Sequence, residues 1–378
     1  MNDPSPNSFV AKELAEKISP FFTIYDIQQR DGNIFFFVTP KEARVVAEEI
    51  DGAVVRHSIE PMLYQKLWAI FAEKGYQFSL RHDLGENVLI ATPFKPAHER
   101  RWINVVLLVA TVLSTMVMGS FLFGVDPINN PSDVLKGIPF TIAIMTVLGA
   151  HESAHYIVAK RHGMNTSLPY FIPFPSMIGT MGAVIKHRGP IPNRKALFDV
   201  GISCPLVGLF VSVIVTIIGL LLPPVPAVSG MDGVQIILSP PPLFELLMRL
   251  IPPAENSMLH PVAFAGWVGM LVTALNLIPA GQLDGGHVLR AMLGKKASYV
   301  SGTLPFVLLF LGIYLTYVRN IDGSIWMFWG VLLFFFAGMG HPKPLDDDVP
   351  IGKVRMALGI ITFILGLLCV TLVPFQVQ

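Results

Sequence analysis

From Trp102 onward the chain is dominated by apolar runs, and their length restricts the fold more than any other feature. Stretches near 102–124, 138–159, 197–222, 261–280, 299–318, 324–340 and 354–373 are each predominantly apolar. About 20 such residues suffice for a helix to cross the ~30 Å hydrocarbon core of a bilayer. Backbone polar groups find no water there, so the runs are expected to fold as helices. Composition agrees. The 378 residues are 52% hydrophobic and 14% charged, with a mean hydropathy of +0.59, outside the usual range of soluble domains. The expected fold class is mainly α, a polytopic helical membrane protein of about 6–8 transmembrane helices. The sixth and seventh runs could instead form a re-entrant pair.

Residues 1–100 differ and read as a small α+β soluble domain. Ile34–Val38 (IFFFV) predicts a strand, and Lys41–Ile50 (KEARVVAEEI), behind Pro40, predicts an amphipathic helix. Met62–Lys74 predicts a second helix stopped by Gly75. Strands near 76–80 and 88–92 flank a turn at His82-Asp83-Leu84-Gly85. No motif there carries chemistry, and His57 and His82 read as surface histidines. The expected organisation is a cytosolic domain over 1–100, a core over 101–300, and additional helices over 301–378.

The N-terminus, MNDPSPNSFVAKEL, lacks the apolar core of a signal peptide. Basic residues alternate between the connecting segments. Lys95, Arg100 and Arg101 precede the first run, and Lys160, Arg161, Lys186, Arg188, Arg194 and Lys195 follow the second. The segments 125–137 and 223–260 hold one basic residue each, Lys136 and Arg249. The positive-inside rule then sets the N-terminus in the cytosol, or in the stroma of a plastid. A net charge of +1 makes no case for nucleic acid. Cys204 and Cys369, the two cysteines, both fall in apolar runs and read as buried thiols, not as a disulfide or a Cys-based zinc site.

Within the second run stands His151-Glu152-Ser153-Ala154-His155. On a helix, residues four apart share a face one turn apart, so both imidazoles can reach one ion. Glu152 lies beside them, in reach of a water on that ion, which is the HExxH arrangement of two metal ligands and a general base. Three ionisable groups inside a membrane span are costly and mark a functional site. By helix rise, His151 and His155 lie about 14 Å and 7 Å below the interface that Lys160 and Arg161 mark.

A second constellation closes the fourth run: Asn276-Leu-Ile-Pro-Ala-Gly-Gln-Leu-Asp284-Gly-Gly-His287. Pro279, Gly281, Gly285 and Gly286 break the helix and free backbone groups. Zinc held by two histidines needs a third protein ligand and one open position. Asp284 is the best candidate, with His287 a competitor and a helix-terminating loop aspartate the plain alternative. Asn276 could donate a hydrogen bond to a reacting carbonyl, or bond across helices. The loop 163–196 is apolar, Pro- and Gly-rich and too broken for a helix. It suggests a membrane-embedded β-hairpin, with a strand over 178–185 whose Gly179 and Gly182 leave backbone approachable to an extended substrate peptide. The third run opens with Gly201 and Gly208 flanking Ser203 and Cys204, a pattern for close helix packing in lipid.

Together the HESAH and NLIPAGQLDGGH motifs resemble the site-2 protease family of intramembrane zinc metalloproteases (peptidase family M50), over about residues 100–300. The resemblance implies one Zn²⁺, with His151, His155 and Asp284 as ligands and Glu152 as the base. It also implies cleavage of peptide bonds within or near transmembrane segments of membrane-protein substrates. Single-span proteins, met in the lipid bilayer, are the expected partners. Ser153-Ala154 departs from the bulky residue and Gly that members often carry, and the α+β N-terminal part is similar to the plant chloroplast and related prokaryotic branch. A transporter or ion-binding protein using the same His/Glu/Asp cluster is the alternative, although no internal repeat supports it.

Overall fold

A computed structural model describes residues 6–41, 45–50, 53–59, 61–83, 86–93, 101–188, 191–225, 236–253, 258–338, 340–342, 344–347, 350–373 and 375–377. The N-terminal part runs α1 (Pro6–Ile18), β1 (Phe22–Arg30), β2 (Asn33–Pro40), β3 (Val45–Ile50), β4 (Ala53–Ile59), α2 (Pro61–Glu73), β5 (Tyr76–Asp83) and β6 (Glu86–Pro93). β1, β2, β6 and β5 form an antiparallel sheet in that order. Alternate residues of β2, Ile34, Phe36 and Val38, are buried against Leu14 and Ile18 of α1 and Leu67 and Phe71 of α2. Alternation of this kind is what gives a sheet one apolar face.

The helix expected over Lys41–Ile50 is not there. Residues 45–50 form β3, paired antiparallel with β4, Val45 opposite Ile59 and Ile50 opposite Ala53; residues 42–44 lie outside the described residues. β-Branched Val45, Val46 and Ile50 fit a pleated ladder better than a helix. The strands expected near 34–38, 76–80 and 88–92 are present within β2, β5 and β6. Of the turn between the last two, residues 84 and 85 lie outside the described residues, as do the side chains of His57 and His82.

The remainder is a multi-pass helical membrane protein. It runs α3 (Arg101–Leu122), α4 (Ile138–Arg161), β7 (Asn165–Thr166), β8 (Tyr170–Pro173), β9 (Thr180–Val184), β10 (His187–Arg188), β11 (Ile191–Asn193) and α5 (Arg194–Leu221). Then come β12 (Ile236–Leu238), α6 (Pro242–Leu250), α7 (Pro261–Asn276), α8 (Asp284–Leu293), α9 (Ala297–Tyr317), α10 (Ser324–Gly338), β13 (Pro344–Asp346), α11 (Lys353–Leu368) and β14 (Phe375–Val377). Among the described residues four helical stretches, 101–122, 131–161, 194–221 and 284–317, are long and apolar enough to cross a membrane. The run expected over 261–280 yields only the 16 residues of α7. At 1.5 Å per residue that is about 24 Å, short of a bilayer core. The break after Asn276 is set by Pro279 and Gly281, and it is what positions the site.

α4, α5 and α7 pack together at the centre. Hydrocarbon outside gives no hydrophobic drive between helices, so close approach of small residues takes its place. A Cβ on Gly266 of α7 would come 2.8 Å from the Ser212 carbonyl of α5, so these backbones nearly touch. Around them Phe140, Val147, Leu209, Phe264 and Trp267 form one buried cluster. The outer faces of α3 and α9 expose Val105, Val109, Leu113, Phe306 and Phe310, the surface a lipid-facing helix presents.

Candidate metal centre

α4 brings the histidine pair. Pro139 sits in its first turn, where the missing N–H costs nothing, and Lys160 and Arg161 close its last turn, complementing the helix dipole. Its end is fixed by Gly163 at φ +72°, with Met164 N–H bonding Ala159 O at 2.9 Å and Gly163 N–H bonding Lys160 O at 3.0 Å. Met164 also packs on Ala159, the apolar contact that accompanies this left-handed stop. One and a half to three turns back lie His151, Glu152 and His155, all buried.

The second half comes from α8, which starts at Asp284 directly on the backbone of the irregular segment 277–283. A Cβ on Gly285 would lie 2.7 Å from Ile278 O and closer still to Leu277, and one on Gly286 2.5 Å from Gly281 O. Only glycine lets the helix begin this tightly. Asp284 thereby takes the first turn, where its negative charge meets the positive end of the helix dipole.

The two halves meet at one carboxylate. Asp284 Oδ2 is 3.4 Å from His151 Nε2, and Oδ1 is 3.3 Å from His155 Nε2. A tetrahedral zinc with bonds of about 2.0–2.1 Å to N and O requires ligand-to-ligand edges of about 3.3 Å. The donor chemistry suits that ion, and the two His–Asp edges have the length its coordination requires. His155 Nδ1 lies 3.1 Å from Val200 O of α5; a ring nitrogen so engaged as donor leaves Nε2 as the acceptor, the tautomer a metal needs. Asn276 Nδ2 lies 3.1 Å from His151 Nε2, so this side chain does bond across helices. His287 is buried on the next turn of α8, with its Cβ against Gly201.

α5 lies against both halves along a stripe of small residues. Asn193 caps the helix, its Oδ1 accepting from Ala196 N–H at 2.8 Å. A Cβ on Gly201 would come 2.8 Å from His287 Cβ, and one on Gly208 would come 2.6 Å from His151 Nδ1. The small-residue pattern of the third run therefore packs on the histidine helix. Between these glycines Cys204 is fully buried, and its Sγ joins ligand atoms of His151 and Asp284 in a set whose members all lie within 4.8 Å of one another. From its apolar run alone this cysteine reads as a buried thiol. The signal that finds it is its place, three residues after Gly201 and four before Gly208, on the face turned to the site.

The expected hairpin is present. β8 and β9 pair antiparallel, Tyr170 opposite Val184. β8 packs on α3 and β9 on α4. α3 pins the hairpin through Asn104 Nδ2, which donates to Leu168 O and Pro169 O at 3.1 and 3.0 Å, and through Ser114 Oγ, which donates to Gly179 O at 2.6 Å. Gly179, at φ +79°, faces α3, where a Cβ would lie 2.7 Å from Ser114 O. Gly182, at φ +100°, faces open space. Among the described residues the sheet has two strands, so no further strand pairs with β9, and Gly182 N–H donates to Thr180 Oγ1 at 3.0 Å.

The chain is similar to proteins of one known family. Residues 139–312 match the family described as peptidase family M50. The chain is 30% identical over 252 residues to a rice (Oryza sativa subsp. japonica) protein named "Probable zinc metalloprotease EGY1, chloroplastic", covering 64% of this chain and 41% of that protein. It is 31% identical over 248 residues to the Arabidopsis thaliana protein of the same name, covering 63% and 43%. To "Probable zinc metallopeptidase EGY3, chloroplastic" of Arabidopsis thaliana it is 26% identical over 310 residues, covering 76% and 51%. The chain thus spans about half the length, or less, of these curated relatives. No solved structure matches it.

Proposed function

We propose that this chain, whose residues 139–312 match peptidase family M50, is an intramembrane zinc metalloprotease cleaving peptide bonds within or near transmembrane segments of membrane proteins. The observation that carries this reading is the Asp284 carboxylate set between His151 Nε2 and His155 Nε2 at 3.4 and 3.3 Å. His151, His155 and Asp284 would hold the zinc, which when bound polarises water and the scissile carbonyl. The relatives reported above are named as probable zinc metalloproteases or a metallopeptidase, which favours hydrolysis over transport by the same cluster.

Glu152, on the same helical turn as both histidines, takes the proton of the attacking water and returns it to the leaving amine. Asn276, whose amide Nδ2 lies 3.1 Å from His151 Nε2, donates to the carbonyl oxygen as charge develops there. Burial of the whole constellation at under one-tenth exposure for His151, Glu152, His155 and Asp284 strengthens each of these interactions. The substrate is a single-span protein whose segment unwinds at the site, since helical peptide bonds are internally satisfied. Its extended strand adds to the open edge of β9 beside Gly182, while Gly179 holds the hairpin to α3. Strand addition supplies main-chain bonds without demanding a sequence.

Residues 1–100 act as a domain on the cytosolic side, or the stromal side in a plastid, and 301–378 add helices to the 101–300 core. The test is metal content. Purified wild type should hold about one zinc per chain, Asp284→Ala should lose most of it, and Glu152→Gln should keep it. Equal zinc in wild type and Asp284→Ala would refute the ligand assignment.

A further inference from the structure

We propose that Cys204 is a further metal donor, displaceable, so that at rest the ion is held partly through sulfur and the position a reacting water needs is closed until the thiolate leaves. This rests on the metal-centre reading given above and adds its regulation. The sulfur does not stand alone: Sγ of Cys204 and ligand atoms of His151 and Asp284 all lie within 4.8 Å of one another. Around a tetrahedral zinc, with Zn–S of about 2.3 Å and Zn–N or Zn–O of about 2.0–2.2 Å, sulfur stands about 3.5 Å from the other ligands. Bringing these three donors to such edges takes a movement of at most about 1.3 Å for any pair, within side-chain adjustment.

The helix face supplies a second argument. Gly201 and Gly208 leave room for Asp284, His287 and His151, since a Cβ at either would crowd them. Packing alone would be served between them by another residue without a donor atom. The chain places there a side chain with a soft donor and buries it completely. Its second cysteine makes the contrast. Cys369 sits in an apolar cluster with Leu365 and Val370, the usual setting of a thiol used as a small hydrophobe. Cys204 instead neighbours Ser203 Oγ, at 3.8 Å, and the His151 and Asp284 donors. When the sulfur binds, the S–H bond breaks and its proton passes to water; when water or substrate displaces the sulfur, the thiol takes a proton back. A donor of this kind biases the centre toward thiophilic divalent ions such as Zn²⁺, Co²⁺ and Cd²⁺.

The full chain in detergent, loaded with Co²⁺, tests this without reference to catalysis. Wild type and Cys369→Ser should bind about one equivalent and show sulfur-to-cobalt charge-transfer absorption in the near ultraviolet. Cys204→Ala and Cys204→Ser should bind the same amount and lose that band. X-ray absorption of the zinc-loaded wild type should show a sulfur scatterer at about 2.3 Å, absent in Cys204→Ala. Stoichiometric cobalt without a sulfur band in wild type, or a band that survives in Cys204→Ala, overturns the proposal and leaves the metal centre standing. Failure of all four proteins to bind cobalt overturns both.

Discussion

Gly208→Ala isolates the packing that holds His151 in place. The added Cβ would sit 2.6 Å from His151 Nδ1, with the ring Cγ and Cβ at 3.4 and 3.5 Å. Ordinary contact begins near 3.4 Å, so the imidazole must retreat by about 0.8 Å, or α5 must move as a body. Catalytic groups tolerate about 0.5 Å of misplacement, and about 1 Å costs on the order of 10²-fold. Cleavage should therefore fall about 10²-fold and zinc affinity about 10- to 100-fold. The helix itself should not suffer, because alanine is about 1 kcal/mol better than glycine in a helix interior. Gly149→Ala on α4 is the control, since its Cβ would meet nothing within 4 Å. Zinc titration, cleavage of a single-span substrate and thermal unfolding are measured on all three proteins. Wild-type zinc affinity and cleavage in Gly208→Ala would refute the argument that this glycine exists for His151.

Other perturbations have equally definite outcomes. Gly285→Ala drives a Cβ into the Leu277–Ile278 backbone and should cost about 1–3 kcal/mol while lowering zinc content, read by thermal shift and metal analysis. Asp199 accepts from Arg355 Nε and Nη2 at 2.7 and 3.0 Å and faces His162 Nε2 at 3.0 Å, joining α4, α5 and α11. Asp199→Asn should lower stability by about 1–2 kcal/mol, discounted for partial exposure, with zinc content unchanged. His260 caps α7, its Nδ1 accepting from Val262 N–H at 3.2 Å, and burial holds its pKa below the ordinary histidine value. The folded protein therefore resists protonation there, so this cap's stability is complete above the unfolded-state pKa of about 6.5 and declines as pH falls below it. His260→Asn should flatten that dependence in a thermal melt against pH. A zinc chelator should abolish cleavage, and added Zn²⁺ should restore it.

How much was legible from sequence follows the range of the interactions involved. The HESAH turn is a local matter of four-residue spacing, and the break after Asn276 follows from Pro279 and Gly281, so both were visible in the chain. The length and composition of the apolar runs likewise foretold the helices. The hairpin over 170–184 was visible because its Pro and Gly content ruled out a helix. The helix expected over Lys41–Ile50 failed because short segments with apolar residues near helical spacing also satisfy a strand once a partner exists, and β4 supplies that partner. What no local pattern reveals is long-range approach. That Gly208 lies on His151, Gly179 on Ser114 and Cys204 beside Asp284 depends on helices distant in sequence. The shortening of α7 to 16 residues is an intermediate case, since Pro279 and Gly281 mark the break while apolar residues continue up to it and past Asn276.

Proton transfer by Glu152 at a zinc held by its neighbours is tested most directly by one measurement. A single-span membrane substrate is incubated in detergent with zinc-loaded wild type or with Glu152→Gln of equal zinc content, and the products are mapped by mass spectrometry. The prediction is scission within or beside the substrate's membrane segment by wild type, with the variant reduced at least about 10²-fold. Equal cleavage by Glu152→Gln at equal zinc would contradict the account.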